Sequence, residues 1–441
     1  MPRRPAQPVA SRLDEKGRVD MTVSAMTPTA LEGPRSRTVD PRAGYRAARR
    51  RESVRAFLLA VPLLIFLAAT FIVPIGKLLI MSVRTDEVAN AVPRTAALLT
   101  EWPGPPALPS RPTFEALAAD LQTAQEQGTL ASAARMLNTY EPGFRSLLFK
   151  TVRQLPIREG EPADDALQRI DRHWGEPETW RLLDRAAHRW TPDFLLTAVD
   201  HKVGASGSVE PVPASQAIYI GAFLRTFAIS ASVAIICLVL GYPVAYLLAT
   251  LPTRQSSLLM IFVIVPFWTS LLVRTTAWYV LLQPNGVVNA LLVRSGLTAA
   301  PLALMFNRTG VLIGMTHVLL PFMILANYAV MRGISPAYQR AAVSLGAHPA
   351  LAFLRIYMPL TLPGVGTGTF LVFVLSLGYY ITPALLGGAG DEMISQLVAL
   401  QMDKQLNWGL AGALSVYLVV FTLAVYVVFN RLVGVDRLRL G

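Results

Sequence analysis

Gln339-Arg340-Ala341-Ala342-Val343-Ser344-Leu345-Gly346-Ala347-His348-Pro349, followed shortly by Ile356-Tyr357-Met358-Pro359, is the stretch whose reading decides the fold. It is a polar island between two long apolar segments. Small residues sit back to back on a predicted short helix. Gly346 suits a left-handed helix end, and Pro349 suits the first turn of a second helix. Ile356 and Pro359 lead toward the next apolar run. The pattern predicts two short helices with a sharp bend, a compact knob outside a membrane. A knob of that kind is useful only where something docks on it.

The composition agrees with a membrane setting. The chain has 441 residues, 53% of them hydrophobic and 15% charged. The apolar residues form runs of roughly twenty or more, the length needed to cross a bilayer core. The formal net charge of +12 could suggest nucleic acid, but its distribution excludes that class. Arginines crowd before the first apolar run (Arg46, Arg49, Arg50, Arg51, Arg55) and recur beside later ones (Arg254, Arg332, Arg355, Arg431, Arg437, Arg439). That is the positive-inside pattern. The single cysteine, Cys237, rules out an intrachain disulfide framework and reads as a small buried hydrophobe.

Along the chain, residues 1–55 read as a disordered basic tail. A first transmembrane helix is expected over 56–83; the run is too long for a signal-peptide core. Residues 84–217 are polar, with slightly more acids than bases and helical periodicity over Phe114–Leu137 and near Trp180, Leu183 and Ala187. They read as a mostly helical insert, large enough for a small domain whose core closes either by itself or against the rest of the protein, with a linker over Gly204–Gly207 and Pro211–Pro213. Five more spans are expected over Phe223–Ala249, Leu258–Leu282, Gly310–Met331, Val365–Leu386 and Gly409–Phe429. They belong to a core over 218–432, with a loop over 333–362 carrying the knob and a short tail over 433–441. Six helices put both termini on one side, and the arginines put that side inside. The insert is then outside and the knob inside.

Several residues in or beside the apolar runs are candidates for a functional site, each with a plainer reading. Arg274 lies in an apolar run, where a charge is costly; it is a gate residue or it snorkels to the interface. Trp268, Tyr379 and Tyr380 either hold an organic cation by cation–π attraction or pack in the bundle. Asp391 and Glu392 either attract a cation at the outer mouth or are simply solvated. His317 reads as a hydrogen-bonded bundle residue. No Gly-x-x-x-x-Gly-Lys-Ser/Thr pattern occurs, so the chain is not expected to hydrolyse ATP itself. No catalytic or metal constellation stands out.

The knob resembles the EAA signature of ABC-importer permeases: Glu-Ala-Ala, three residues, Gly, nine residues, Ile, any residue, Leu-Pro. The spacing is kept in full, with Arg340 in place of Glu and Met358 in place of Leu. Met for Leu conserves volume; Arg for Glu reverses a charge. Leu240–Leu248, Val265–Thr275, Val311–Phe322 and Gly378–Gly388 further resemble the spermidine/putrescine permease subfamily. The resemblance implies an all-α integral membrane protein with six transmembrane helices of the type I ABC importer permease fold, the insert lying outside between helices 1 and 2. It implies a bacterial cytoplasmic (inner) membrane location and ATP-driven import of a small, polyamine-like organic solute. Arg340, Ala341, Ala342, Gly346, Ile356 and Pro359 would couple to two separate ATPase subunits, which use ATP and Mg; this chain would bind no cofactor. The other expected partners are a second permease, a distinct homologue, and an extracytoplasmic solute-binding protein. Two other classes stay open on the residues alone: a secondary transporter or channel, and a membrane-anchored sensory or binding protein.

Overall fold

A computed structural model of the chain describes residues 57–158, 160–204 and 208–433. The expected tails, 1–55 and the chain beyond 433, lie outside the described residues, as do residues 205–207 of the expected linker. The chain divides into two compact units, 1–67 and 68–441. The described residues of the first unit, 57–67, are helical.

Among the described residues, five helices are long and apolar enough to cross a membrane: Phe57–Met81, Tyr219–Thr250, Arg308–Met331, Pro349–Gly378 and Trp408–Arg431. Two expectations need correction. The span expected over Leu258–Leu282 is a pair of helices, Thr253–Trp268 and Leu271–Leu281, bent by 98°. Pro266 sits in a 3₁₀ turn, Val265–Trp268, and lacks the N–H that would continue the ladder. Ser270 then starts a new helix, its Oγ accepting from the Val273 N–H at 3.2 Å. The span expected over Val365–Leu386 begins earlier, at Pro349, and stops at Gly378; Tyr379 is extended, and Ile381–Leu386 is a separate short helix. The second knob helix is therefore the start of a long span. It runs through Pro359 by way of a π turn, Phe353–Tyr357, whose wider coil relieves the clash of the proline ring with the preceding turn.

Helices Tyr219–Thr250 and Arg308–Met331 run parallel. Their N-terminal halves meet through Ile229, Val233, Val311 and Met315, and their C-terminal halves through Ala245, Leu248, Ile324 and Met331. Pro349–Gly378 runs antiparallel to both, Tyr357 packing at their C-terminal ends and Val372 at their N-terminal ends. Glycines permit these approaches: a Cβ on Gly368 would lie 2.8 Å from Met323 Sδ, and one on Gly364 3.0 Å from Val330 Cβ.

The insert is helical, as expected, with helices Arg111–Glu126, Leu130–Tyr140, Phe144–Arg153 and Pro177–Ala187 among its elements. The helical periodicity expected over Phe114–Leu137 is carried by two helices that part at Gly128, whose φ of +74° ends one before the next begins. The expected linker is in part a hairpin, His201–Val203 pairing antiparallel with Val209–Pro211. The insert core holds Phe114, Trp174 and Trp180, and is closed by Tyr219, Ala222, Ile394, Leu397, Leu410 and Leu414 from the membrane segment. Buried Asp200 fastens the two parts: its carboxylate accepts from the N–H groups of Ile218, Tyr219 and Ile220 at 3.0, 3.0 and 2.8 Å. It thereby satisfies the free donors at the start of Tyr219–Thr250.

Candidate functional site: a docking knob and the opposite mouth

The knob is built by helix Ala337–Ser344 and the turn that ends it. The Gly346 N–H donates to Val343 O and the Ala347 N–H to Ala342 O, each at 3.0 Å, with Gly346 at φ +91°. This is the full Schellman pairing, and glycine meets its left-handed position without strain. His348 opens the next helix, its Nδ1 accepting from the Ala350 N–H at 3.3 Å, and Pro349 follows in the first turn. The chain therefore reverses within a few residues.

This geometry separates the alanine pair. Ala342 is buried, while Ala341 is exposed. Arg340 and Pro359 are exposed and Ile356 is half-buried in the π turn. Around Arg340 the surface is apolar: Leu345 is 89% exposed, and Tyr338, Val343, Leu351 and Leu354 are exposed too. From 332 to 363 the chain carries Arg332, Arg340 and Arg355 and no acidic residue. The knob is thus a stiff, basic protrusion with an apolar face, suited to a groove lined by hydrogen-bond acceptors and apolar side chains.

Sequence reasoning missed what stands behind the knob. Tyr242 and Tyr246 of helix Tyr219–Thr250 pack on Phe353 and Tyr357. Each pair has the i, i+4 spacing that puts two rings on one helix face, a signal present in the sequence.

The path candidates gather at the other end only in part. Arg274 lies in the first turn of Leu271–Leu281, with Nε and Nη1 buried and without a hydrogen-bond partner. It lies within electrostatic reach of His317 and Tyr379. The expected hydrogen bond of His317 is not made at Nδ1, which is buried without a partner; its ring meets Trp278 edge-on at 5.4 Å. Tyr379 is half-buried and its carbonyl accepts from Ser395 Oγ at 2.6 Å; Tyr380 is exposed. Trp268 stands apart before the 98° bend, 88% exposed. Asp391 is paired with Arg308 at 3.2 Å, so its charge is largely met within the chain. Glu392 contributes its backbone, its carbonyl accepting from Arg225 Nε at 3.3 Å. Sequence spacing could not reveal these arginine partners, which lie 83 and 167 residues away.

No family profile matches the chain. It is similar to the spermidine/putrescine transport system permease protein PotB of Escherichia coli K12, at 34% identity over 203 residues, 46% of this chain and 74% of PotB. It is also similar to the inner membrane ABC transporter permease protein YdcU of the same organism, at 30% identity over 48% of this chain and 71% of YdcU. The crystal structure of a bacterial ABC transporter that imports the acidic polysaccharide alginate is similar over 49% of this chain and 79% of that one, at 18% identity and a TM-score of 0.40. With one relative sharing a third of its residues over three-quarters of its own length, and with apolar helices that end in a bent knob, the chain belongs to the membrane-permease subunits of ABC importers.

Proposed function

We propose that this chain forms one half of the membrane path of an ATP-driven importer, and that its knob receives the ATPase. The observation that carries this reading is the basic, apolar protrusion over Ala337–Pro359, held rigid by the Gly346 turn. Arg340, Ala341, Ala342, Gly346, Ile356 and Pro359 form its coupling surface and frame. Two ATPase subunits supply ATP and Mg chemistry, this chain having no ATPase site of its own. A second permease, a distinct homologue, completes the path, and a solute-binding protein outside delivers the cargo.

Six crossings are supported by the parallel packing of Tyr219–Thr250 and Arg308–Met331, since the chain between two parallel spans has to return across the bilayer. The bent pair makes that return. Both termini and the knob are then inside, and the insert, fastened by Asp200 to the opposite end of Tyr219–Thr250, is outside. At about 1.5 Å per residue that 32-residue helix is about 48 Å long, enough to separate the two ends by a full bilayer. The cargo is a small organic cation of the polyamine class, with Trp268, Arg274, Tyr379, Tyr380, Asp391 and Glu392 as path candidates.

Two experiments test the reading. The permease is purified under gentle extraction and its retained ATPase measured over a salt series. Retention, with ATP-dependent spermidine uptake into proteoliposomes when the remaining subunits are supplied, supports it; loss of the ATPase at every salt concentration overturns it. Arg340→Glu should release ATPase at lower salt than Arg340→Ala, because the basic knob needs acceptors opposite it. For topology, Cys237 is replaced by Ala, and Ser146→Cys and Ser344→Cys are compared in intact cells. An impermeant thiol reagent should label the first alone; the reverse pattern inverts the topology.

A further inference from the structure

Directly behind the knob, four aromatic rings lock together. Phe353 and Tyr357, in the π turn, are stacked at 5.7 Å with their planes 21° apart. Tyr246 meets both edge-on at 5.2 Å, with interplanar angles of 76° and 78°. Tyr242, one turn earlier, meets Phe353 edge-on at 6.5 Å, and its hydroxyl hydrogen-bonds Thr361 Oγ1 at 3.0 Å. Tyr357 is buried although its hydroxyl has no hydrogen-bond partner, so the ring holds its place against the cost of an unmet polar atom. Edge-to-face contacts resist sliding, because the favourable geometry is lost when one ring shifts over another. π turns, moreover, recur where a helix is used mechanically or chemically.

We propose that Tyr242, Tyr246, Phe353 and Tyr357 form an aromatic joint that makes the docking knob and helix Tyr219–Thr250 one moving body, so that a displacement of the knob is carried along that helix to its far end. The proposal rests on the reading of the knob as the ATPase dock. The rings act as positioning residues; none needs to touch cargo or nucleotide. The path of the movement follows from the contacts. A force on the exposed face around Leu345 reaches the π turn through the short helical start at Pro349. Tyr246 and Tyr242 then pass it to Tyr219–Thr250, whose first turn is held by Asp200 of the insert. Movement at the nucleotide end would thereby reach the insert as a rigid shift.

The test uses the permease–ATPase complex. In a Cys237→Ala background, spin labels are placed at Leu345→Cys on the knob and Leu224→Cys on the exposed far half of Tyr219–Thr250. The interspin distance is measured without nucleotide and with ATP trapped by vanadate. The intact joint should give the same narrow distribution in both states. Tyr246→Ala should make it nucleotide-dependent, with a shift or broadening of about 1–2 Å or more, the scale of helix displacements at switching interfaces. Tyr246→Phe, which keeps the ring, should restore the unchanged distribution. Phe370→Ala, which removes a ring stacked on Phe429 at 4.6 Å away from the joint, should leave it unchanged. Where Tyr246→Ala loses its ATPase, Tyr246→Leu, closer in volume, takes its place. The joint is overturned by a nucleotide-dependent distance in the parent, by an unchanged distance in Tyr246→Ala or its stand-in Tyr246→Leu, or by an equal effect of Phe370→Ala. Absence of ATPase from the parent complex would instead overturn the docking reading itself.

Discussion

In the insert, Trp174 and Trp180 are fully buried, their rings 5.5 Å apart, with Phe114 4.5 Å from Trp180. In the membrane segment Trp268 is 88% exposed, and the tightest helix contacts fall on glycines such as Gly314, Gly368 and Gly412. One chain therefore solves packing twice, for two solvents. In water, removing large apolar rings from the solvent drives the core together. In a bilayer, lipid is as apolar as the side chains, so helices gain by close backbone approach, which small residues permit. Large rings there are free to face outward.

This contrast can be broken by substitution. The largest effect is expected from Trp180→Ala, which removes a fully buried ring whose Nε1 donates to Trp174 O at 2.9 Å. Such truncations cost about 3–5 kcal/mol. Limited proteolysis should cut the insert at far lower protease concentration while the knob still retains ATPase. An equal loss at both ends would mean that the two regions fold as one cooperative unit. Gly412→Val comes next, because its Cβ would overlap the carbonyl oxygen of Leu78 on the first span. Overpacking costs about 1–3 kcal/mol, and the thermal stability of the detergent-solubilised permease should fall accordingly. No change would show that the contact at Gly412 does not hold the first span in place.

Gly346→Val is smaller in energy but local to function. A side chain at φ +91° is strained by about 1–2 kcal/mol, although no neighbour lies within reach of its Cβ. Membrane insertion should be normal, while ATPase retention and uptake fall together. Normal uptake would mean that the knob tolerates a different turn.

The smallest effect sharpens the water-facing side. Burial raises the Asp171 carboxyl, but hydrogen bonds from Lys150 and His173 outweigh this and hold it at about 2. A depressed carboxyl stabilises the fold above its unfolded value, near 3.8, and that contribution is lost as pH falls through about 2. Asp171→Asn should lower the stability of the insert at neutral pH and flatten its loss between about pH 4 and 2. An unaltered acid profile would mean that the Asp171 cluster adds nothing to the fold.

Much of the architecture was legible because it follows from local rules. Apolar length marks the spans, and the Gly346–Pro349 punctuation marks the knob. The errors fell where neighbours decide. The break at Pro266–Ser270 and the run of the fifth span through Pro359 both turn on how a proline is accommodated, by a 3₁₀ turn and a fresh cap in one case and by a π turn in the other. For Asp391 the sequence leaves cation attraction and solvation open; its ion pair with Arg308 is hidden by their distance in sequence.

By itself, then, the amino-acid sequence determined a membrane protein with a bent knob between two spans and a helical insert, since hydrophobic run length, helix caps and turn residues act over a few positions. Tertiary structure alone decided which alanine faces outward, which carboxylates are already paired, how Asp200 fastens the insert to Tyr219–Thr250, and that four rings meet behind the knob. Those facts depend on groups brought together from distant parts of the chain, and contact of that kind is set by packing rather than by spacing.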